Sequence, residues 1–314
     1  PAAPAHRPTA PRRLRVSTSP TLPAIADPLP IEATPFERVQ GAYLRDLFAA
    51  HPVLAGMAGY HLVDDRWGDP SEAGRSARLA MLARHRAAFA ALPDAALSAS
   101  ERTDRAMLLE QIDQLAFADE VLREEAWDPL GTVATAGGAL FGLLAREYAP
   151  WSFRGAAFLA RLVGLPAYLQ RSAAALTGLP GRPVALLHLE TALRQLPGIG
   201  ELIDEGVAEA RRRAAAGEGA DLLAPIEAAA PVAHAAIGRF RDALDHDVRP
   251  HAAGDGRLGP ELFAHKLRHT LGSDLAPDAL LERAWADHRA VRAEMLRIAR
   301  AIWATWVPDE PLPA

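Results

Sequence analysis

Three times within its first hundred residues the chain spells out the start of a helix. Thr34-Pro35-Phe36-Glu37 places a threonine at the N-cap, a proline at the first helical position and a glutamate three residues beyond the cap, the pattern of a reciprocal capping box. Ser98-Ala99-Ser100-Glu101 repeats that pattern, and Asp69-Pro70-Ser71-Glu72 gives another start. The first helix should stop near Ala50, because the residue before Pro52 is pushed out of the α region. The second should run to about Leu92 and the third to about Trp127, with Met107, Ile112, Leu115 and Leu122 near helical spacing on an amphipathic surface. Further helices are predicted over 133–148, 153–177 (bent at Pro166), 183–195, 199–216, 221–248 (disturbed by Pro225 and Pro231), 259–271 and 277–306. No stretch alternates β-branched or aromatic residues with polar ones, and Asp255-Gly256 sits among polar neighbours rather than between strands. The expected fold class is all-α, a bundle of long amphipathic helices with no significant sheet and no fixed-period repeat.

Composition narrows the function. The chain has 314 residues, of which 50% are hydrophobic, enough for one large domain or two small ones. Residues 1–33 combine many prolines with Ala, Ser and Thr and are expected to form a flexible tail, leaving a helical domain at 34–307 and a short tail at 308–314. With no cysteine, disulfides and thiolate zinc sites are excluded. The 34 basic residues, all arginine but Lys266, face 39 acidic ones, so there is no cationic field for nucleic acid and none is expected as a partner. The longest uncharged run, Pro129 to Ala145, carries four glycines and reads as a buried core helix rather than a membrane span. No apolar leader core follows Pro1, so a cytoplasmic location without membrane association is expected.

Three polar clusters could carry chemistry. Glu261, His265 and His269 follow one another at four-residue steps and project to roughly one side of a helix. Two histidines and a carboxylate can hold a divalent metal, but Lys266 and Arg268 beside them oppose a cation. The stripe Phe263, Leu267 and Leu271 is expected to face the core, turning the histidines toward water or a polar cleft. The second cluster, Tyr60 to Trp67, gathers His61, Asp64, Asp65 and Arg66 in an inter-helix loop, where such groups either bind substrate or cap helix ends. Asp64 and Asp65, adjacent in an extended loop, should point apart and make a poor shared acid/base pair. Asp245-His246-Asp247 and His251 sit at a helix end, where the dipole favours a histidine. His188 and His234, among Leu and Ala, read as core histidines, and Gly137-Gly138 as a site of close helix packing. The residues alone point to no reaction: Gly-x-Ser-x-Gly, phosphate-loop, dinucleotide and His-Glu-x-x-His motifs are all absent.

Three segments resemble a known family in order along the chain. His51 to Ser71 (HPVLAGMAGYHLVDDRWGDPS), Gly137 to Pro150 (GGALFGLLAREYAP) and Arg257 to Leu281 (RLGPELFAHKLRHTLGSDLAPDALL) are similar to the bacterial family called domain of unknown function 885, over about residues 36–307. Ala276 departs from it, standing where the family has a threonine N-cap. The resemblance implies a zinc-dependent, carboxypeptidase-like hydrolase acting on peptides, whose metal-binding His-Glu segment would lie beyond Ala314. On that basis the chain is expected to be the N-terminal helical half of such an enzyme, inactive alone. No catalytic residue, metal ligand or cofactor is assigned within it, and zinc is expected only in the longer protein. Within this chain only the two polar groups, His61, Asp64, Asp65 and Arg66 in the loop and Glu261, His265 and His269 on the helix face, could line the substrate cleft of such an enzyme. The competing expectation is a non-catalytic helical binding or scaffold module.

The final helix carries its own implication. Leu281, Trp285, His288, Met295, Ile302 and Trp306 line one face almost to the last turn, and Trp303 broadens it. A face of that size is expected to mediate self-association, or to be covered by further chain in a longer protein. The 314-residue chain should therefore bind a hydrophobic dye, with the signal falling when Trp303 and Trp306 become Ser. A dye-silent monomer would remove this expectation.

Overall fold

The computed structural model describes residues 26–29 and 33–311. The expected flexible tail at 1–33 lies outside the described residues apart from 26–29 and 33, as does the end of the short tail from 312 on. Ten α-helices make up the described chain: α1 (Pro35–Ala50), α2 (Pro52–Met57), α3 (Glu72–Ala90), α4 (Ala99–Phe117), α5 (Pro129–Ala145), α6 (Trp151–Ala175), α7 (Leu186–Ala215), α8 (Ala220–Ala243), α9 (Pro260–Leu271) and α10 (Pro277–Trp306). Among the described residues the only β-type pairing is an isolated bridge between Leu179 and Arg182, so the fold is all-α as expected.

The capping boxes form as written. Thr34 Oγ1 accepts from the Glu37 amide at 3.1 Å while Glu37 Oε2 accepts from the Thr34 amide at 2.8 Å, and Ser98 and Glu101 make the same exchange. At α3 the cap is Ser71, whose Oγ accepts from the Gly74 amide at 3.2 Å, while Asp69 accepts from the Ser71 amide. Other boundaries differ from expectation. The short helix α2, not among the predicted helices, follows His51 directly, because Pro52 fits the first helical position. The helix expected to reach Trp127 ends at Phe117, continues as a π turn over Ala118–Leu122 and breaks at Arg123, which takes a left-handed conformation (φ 48°). Asp119, Glu120, Glu124 and Glu125 crowd this C-terminal end, where the helix dipole disfavours carboxylates. Conversely, the helices expected over 183–195 and 199–216 are one: α7 passes through Pro197, held on either side of the lost hydrogen bond by buried Leu196, Ile199 and Ile203.

The chain divides into two compact units, and the division falls within α3. The first takes residues up to Arg78 and Glu124–Gly256. In it α8 packs on α6 and α7, α5 packs on α6 and α7, and α2 packs on α5. Phe158, Leu162, Leu165, Leu189, Ile203 and Ile226 form its centre. The apolar run Pro129 to Ala145 is α5, with Val133, Ala136, Leu140 and Leu143 buried there. The stretch Ala220–His251 is long and apolar enough by length and composition to cross a membrane, and Ile226, Ala233, Ile237 and Phe240 within it are core residues of this unit. The second unit takes Leu79–Arg123 and the chain from Arg257 on. There Arg86 of α3 pairs with Asp113 of α4 at 2.6 Å, and α9 packs on α4. Trp285, Met295, Ile302 and Trp306 of α10 are exposed, and no residue of that helix is buried.

Close approach of α6 and α7 depends on one missing side chain. A Cβ at Gly206 of α7 would stand 2.0 Å from the tip of the Phe158 ring of α6. Phe158 is fully buried and has no free space to retreat into. Gly206→Ala should therefore destabilise the chain by about 1–3 kcal/mol despite the better helix propensity of alanine, read from the urea midpoint.

Candidate functional site

The polar loop after α2 is built by a helix end, a glycine and an indole. Gly59 takes a left-handed conformation (φ 86°), and the Tyr60 amide donates to the Ala55 carbonyl at 2.8 Å, the closing bond of a Schellman turn. Tyr60 then packs on Phe48, with ring centroids 4.7 Å apart. At the far end of the loop, Trp67 lies flat on α6, where a Cβ at Gly164 would stand 2.6 Å from the indole. Its Nε1 donates to the Arg161 carbonyl at 3.0 Å, and its ring stacks on Tyr168 at 4.5 Å. These two anchors fix His61 to Arg66 between them.

Asp64 turns inward and is 2% exposed. Its Oδ2 lies 2.8 Å from His61 Nδ1 and accepts a hydrogen bond from the Tyr148 hydroxyl. Because a carboxylate only accepts, Nδ1 carries a proton, and in the neutral imidazole this leaves Nε2 as the acceptor nitrogen. The His61 and Tyr148 rings stack almost parallel, with centroids 3.5 Å apart. Tyr148 stands on the loop between α5 and α6, and that loop is held by Arg154, which is buried and donates to the carbonyls of Ala149 (2.9 Å) and Leu143 (2.8 Å). Arg161 completes the group. Its Nε donates to the Asp64 carbonyl at 2.7 Å, its guanidinium lies 5.3 Å from the Trp67 ring centroid, and its Nη1 is buried with no acceptor.

Burial governs the electrostatics. It pulls the Arg161 guanidinium down to about 10, partly opposed by the neighbouring Asp64 and Tyr148, so Arg161 remains a cation at neutral pH. Burial first, then the hydrogen bond to Asp64, raises the Tyr148 phenol well above its ordinary value. The group stands at one end of a cavity of about 270 Å³ between α2 and α5, whose other walls include Val53, Met57, Ala139, Phe141 and Leu143. Gly56 allows the approach of α2, since a Cβ there would lie 3.0 Å from Asp64 Oδ1. No serine, threonine or cysteine lines the cavity, so it contains no hydroxyl or thiol nucleophile of the common kind. It offers a carboxylate-oriented imidazole able to accept a proton or a hydrogen bond, beside apolar walls.

The other sequence candidates fall elsewhere. Asp65 is partly buried, with its Oδ1 3.5 Å from Arg66 Nε and its charge acting on Arg161, and neither Asp65 nor Arg66 lines the cavity. In the second unit α9 departs from expectation in its apolar stripe: Phe263 and Leu271 are exposed, as is His265, while His269 is partly buried, and the two histidine rings lie 6.1 and 5.1 Å from the Phe117 ring of α4. His269 Nδ1 lies 3.0 Å from Glu110 Oε1, an ion-pair partner that the helix's own periodicity does not contain. Glu261 is exposed and joins neither. Among the described residues no three His, Asp or Glu side chains converge to hold a metal ion, so the zinc implied by the resemblance has no fitting donor set here. His234, expected in the core, is half-exposed and pairs with Asp204 at 2.9 Å. His188 is partly buried, 3.0 Å from Asp128. His246 donates from Nδ1 to the Asp242 carbonyl at 2.8 Å.

Tyr148, Arg154 and Arg161 escaped the sequence reading. The signal was the seven-residue spacing of Arg154 and Arg161 on α6, which puts both arginines on the same face as Phe158, Leu162 and Leu165. The phenol gives a pH test. Tyr43, fully buried, is pushed up to about 12, and Tyr148 is raised further, while the unfolded chain ionises its tyrosines near 10. A raised folded value means that the contribution of these tyrosines to stability is constant below about pH 10 and is lost as pH rises through the folded values. Tyr148→Phe should remove part of that alkaline loss. At pH 7 it should cost about 1.5–3 kcal/mol, for the lost hydrogen bond to a charged acceptor. Chemical denaturation at pH 7 and pH 11 checks both.

No curated protein matches this chain. A solved structure described as a candidate lipoprotein of unknown function from Shewanella oneidensis matches with a TM-score of 0.70 and 23% identity, over 89% of this chain and 50% of that one. The chain thus spans about half the length of that structure, and the likeness extends to the fold. The family model described as bacterial protein of unknown function, DUF885, matches residues 52–308, from the first residue of α2 to just past the end of α10. The chain belongs to the family of bacterial proteins called domain of unknown function 885.

Proposed function

We propose that this chain is the helical, substrate-binding part of a zinc-dependent peptidase of carboxypeptidase-like type, with the metal-holding residues supplied by a longer protein. The observation that carries the reading is the cluster of His61, Asp64, Tyr148 and Arg161 at the end of an apolar cavity. Packing alone does not call for it. Burying a carboxylate and a guanidinium together stabilises a fold less than apolar residues of the same volume would. A cluster retained at that cost, beside an open cavity, fits a role in ligand contact. The wall it forms also has no nucleophile and no metal donor set of its own, which fits a part that binds and orients while chemistry is supplied from elsewhere.

Binding in this scheme combines two kinds of contact. The apolar walls take a side chain from water at about 25 cal/mol per Å² of apolar surface removed. His61, held in one tautomer by Asp64, sets orientation through Nε2. A second reading, a non-catalytic binding or scaffold module, is favoured by the exposed apolar residues of α10, which offer a surface for a partner.

Zinc analysis and peptide assays on the dialysed 314-residue chain separate these readings. The expected result is no stoichiometric zinc, no peptide cleavage, and weak binding of short apolar peptides that is lost in His61→Ala. One zinc per chain, released on replacing His265 and His269, would overturn the assignment of metal chemistry to another segment. Absence of any peptide binding would favour the scaffold reading.

A further inference from the structure

The cavity beside His61 has more positive charge than its own walls use. Arg161 is 2% exposed and its Nη1 has no acceptor, although buried donors are almost always satisfied. Arg146, which also lines the cavity, is exposed and makes no ion pair among the described residues. The one carboxylate of the cavity, Asp64, already receives His61 and Tyr148 at Oδ2. In the lining itself two guanidinium groups face one carboxylate; Asp65 acts on Arg161 from behind the wall but has no partner role at the exposed Arg146, and apolar walls make up most of the remaining lining.

We infer that this cavity binds a carboxylate attached to a small apolar body. The carboxylate lies toward Arg146 and Arg161, and the apolar body rests against Val53, Met57, Ala139 and Leu143. Arginine suits this role, because its planar fork matches a carboxylate and its charge persists at every physiological pH. Size agrees. A dry protein cavity of roughly 150 Å³ accommodates benzene, so about 270 Å³ leaves room for a leucine- or phenylalanine-sized side chain with its carboxylate. Such a ligand is either the C-terminal residue of a peptide or a free aliphatic acid. The inference rests on the reading of this cavity as a substrate wall and names the chemical end of the substrate that it takes.

Calorimetric titration of the full 314-residue chain tests it with four probes: the peptide acetyl-Ala-Leu as free acid and as C-terminal amide, 4-methylpentanoate, and 4-methylpentanamide. The acids should bind at least tenfold more tightly than their amides, with affinity falling as salt is raised. Arg161 also holds the Asp64 loop and its replacement could unfold the site, so two other variants carry the test. Arg146→Gln, at an exposed position without a partner, should weaken the acids about tenfold and leave the amides unchanged. Gly138→Leu should abolish binding of all four while keeping the thermal midpoint, because Gly138 lines the cavity and a Cβ there meets only Val53, at an ordinary contact distance of 3.8 Å. Binding of 4-methylpentanoate without the peptide acid would support the carboxylate site, identify a free acid as its occupant and dismiss the peptidase reading. Binding of the peptide acid alone would support the site and assign it to a peptide C-terminus. Equal binding of peptide acid and amide would overturn the carboxylate inference while leaving peptide binding intact. No binding of either acid would overturn it outright.

Discussion

A buried guanidinium on α6 holds the candidate site together. Arg161 gives its Nε to the carbonyl of Asp64 and its own carbonyl to the indole of Trp67, so one residue clamps two points of the loop that follows α2. Remove that clamp and the loop has no reason to turn Asp64 inward, where the carboxylate meets His61 and Tyr148. The clamp in turn requires Gly164, three residues along α6, because only a bare backbone lets Trp67 lie close enough. The cost of burying the charge is visible in the guanidinium's pull down to about 10, and is offset in part by the Asp64 and Tyr148 oxygens around it.

A second buried arginine serves the same end by other means. Arg154 does not touch Asp64; it ties the end of α5 to the loop carrying Tyr148, through the carbonyls of Leu143 and Ala149. Both arginines therefore act on backbone carbonyls that helix ends or loops leave unsatisfied. The consequence is a rigid polar corner assembled from three separated stretches of chain, with His61 as the member whose free ring nitrogen is available to a ligand. Rigidity of this kind matters for recognition, since a pre-ordered site loses less entropy on binding.

How much of this the sequence revealed depends on the range of the interaction. Local signals were reliable: both capping boxes form, and the Pro277 start of α10 is in place even though Ala276 makes no side-chain cap. His61 and Asp64 were recognisable as a polar cluster, because the residues lie three apart. Their partners were not, because Tyr148 and Arg161 are 84 and 97 residues from Asp64. Where tertiary packing competes with a local rule, packing prevails. Pro197 did not stop α7, since the apolar residues on both sides share one core. The same competition explains α9, whose orientation was inferred from its apolar stripe alone. Phe117 and Glu110 of α4 offer an aromatic face and a carboxylate, and these hold His269 partly buried while His265 and Phe263 stay exposed.

That outcome also bears on function. The spacing of Glu261, His265 and His269 satisfies the geometric condition for a metal site on one helix, yet spacing fixes only the side on which residues project. What a histidine does there depends on the opposing surface. A second carboxylate and open coordination space would make a ligand set, whereas an aromatic ring and one carboxylate make a packing contact with an ion pair. His61 presents the opposite case: an unremarkable position in a loop, given a defined tautomer by Asp64 and a place at a cavity by Tyr148 and Arg161. In this fold the histidine that lines a cavity is His61, set in place by Asp64 of its own loop and by Tyr148 and Arg161 from a loop and a helix far along the chain.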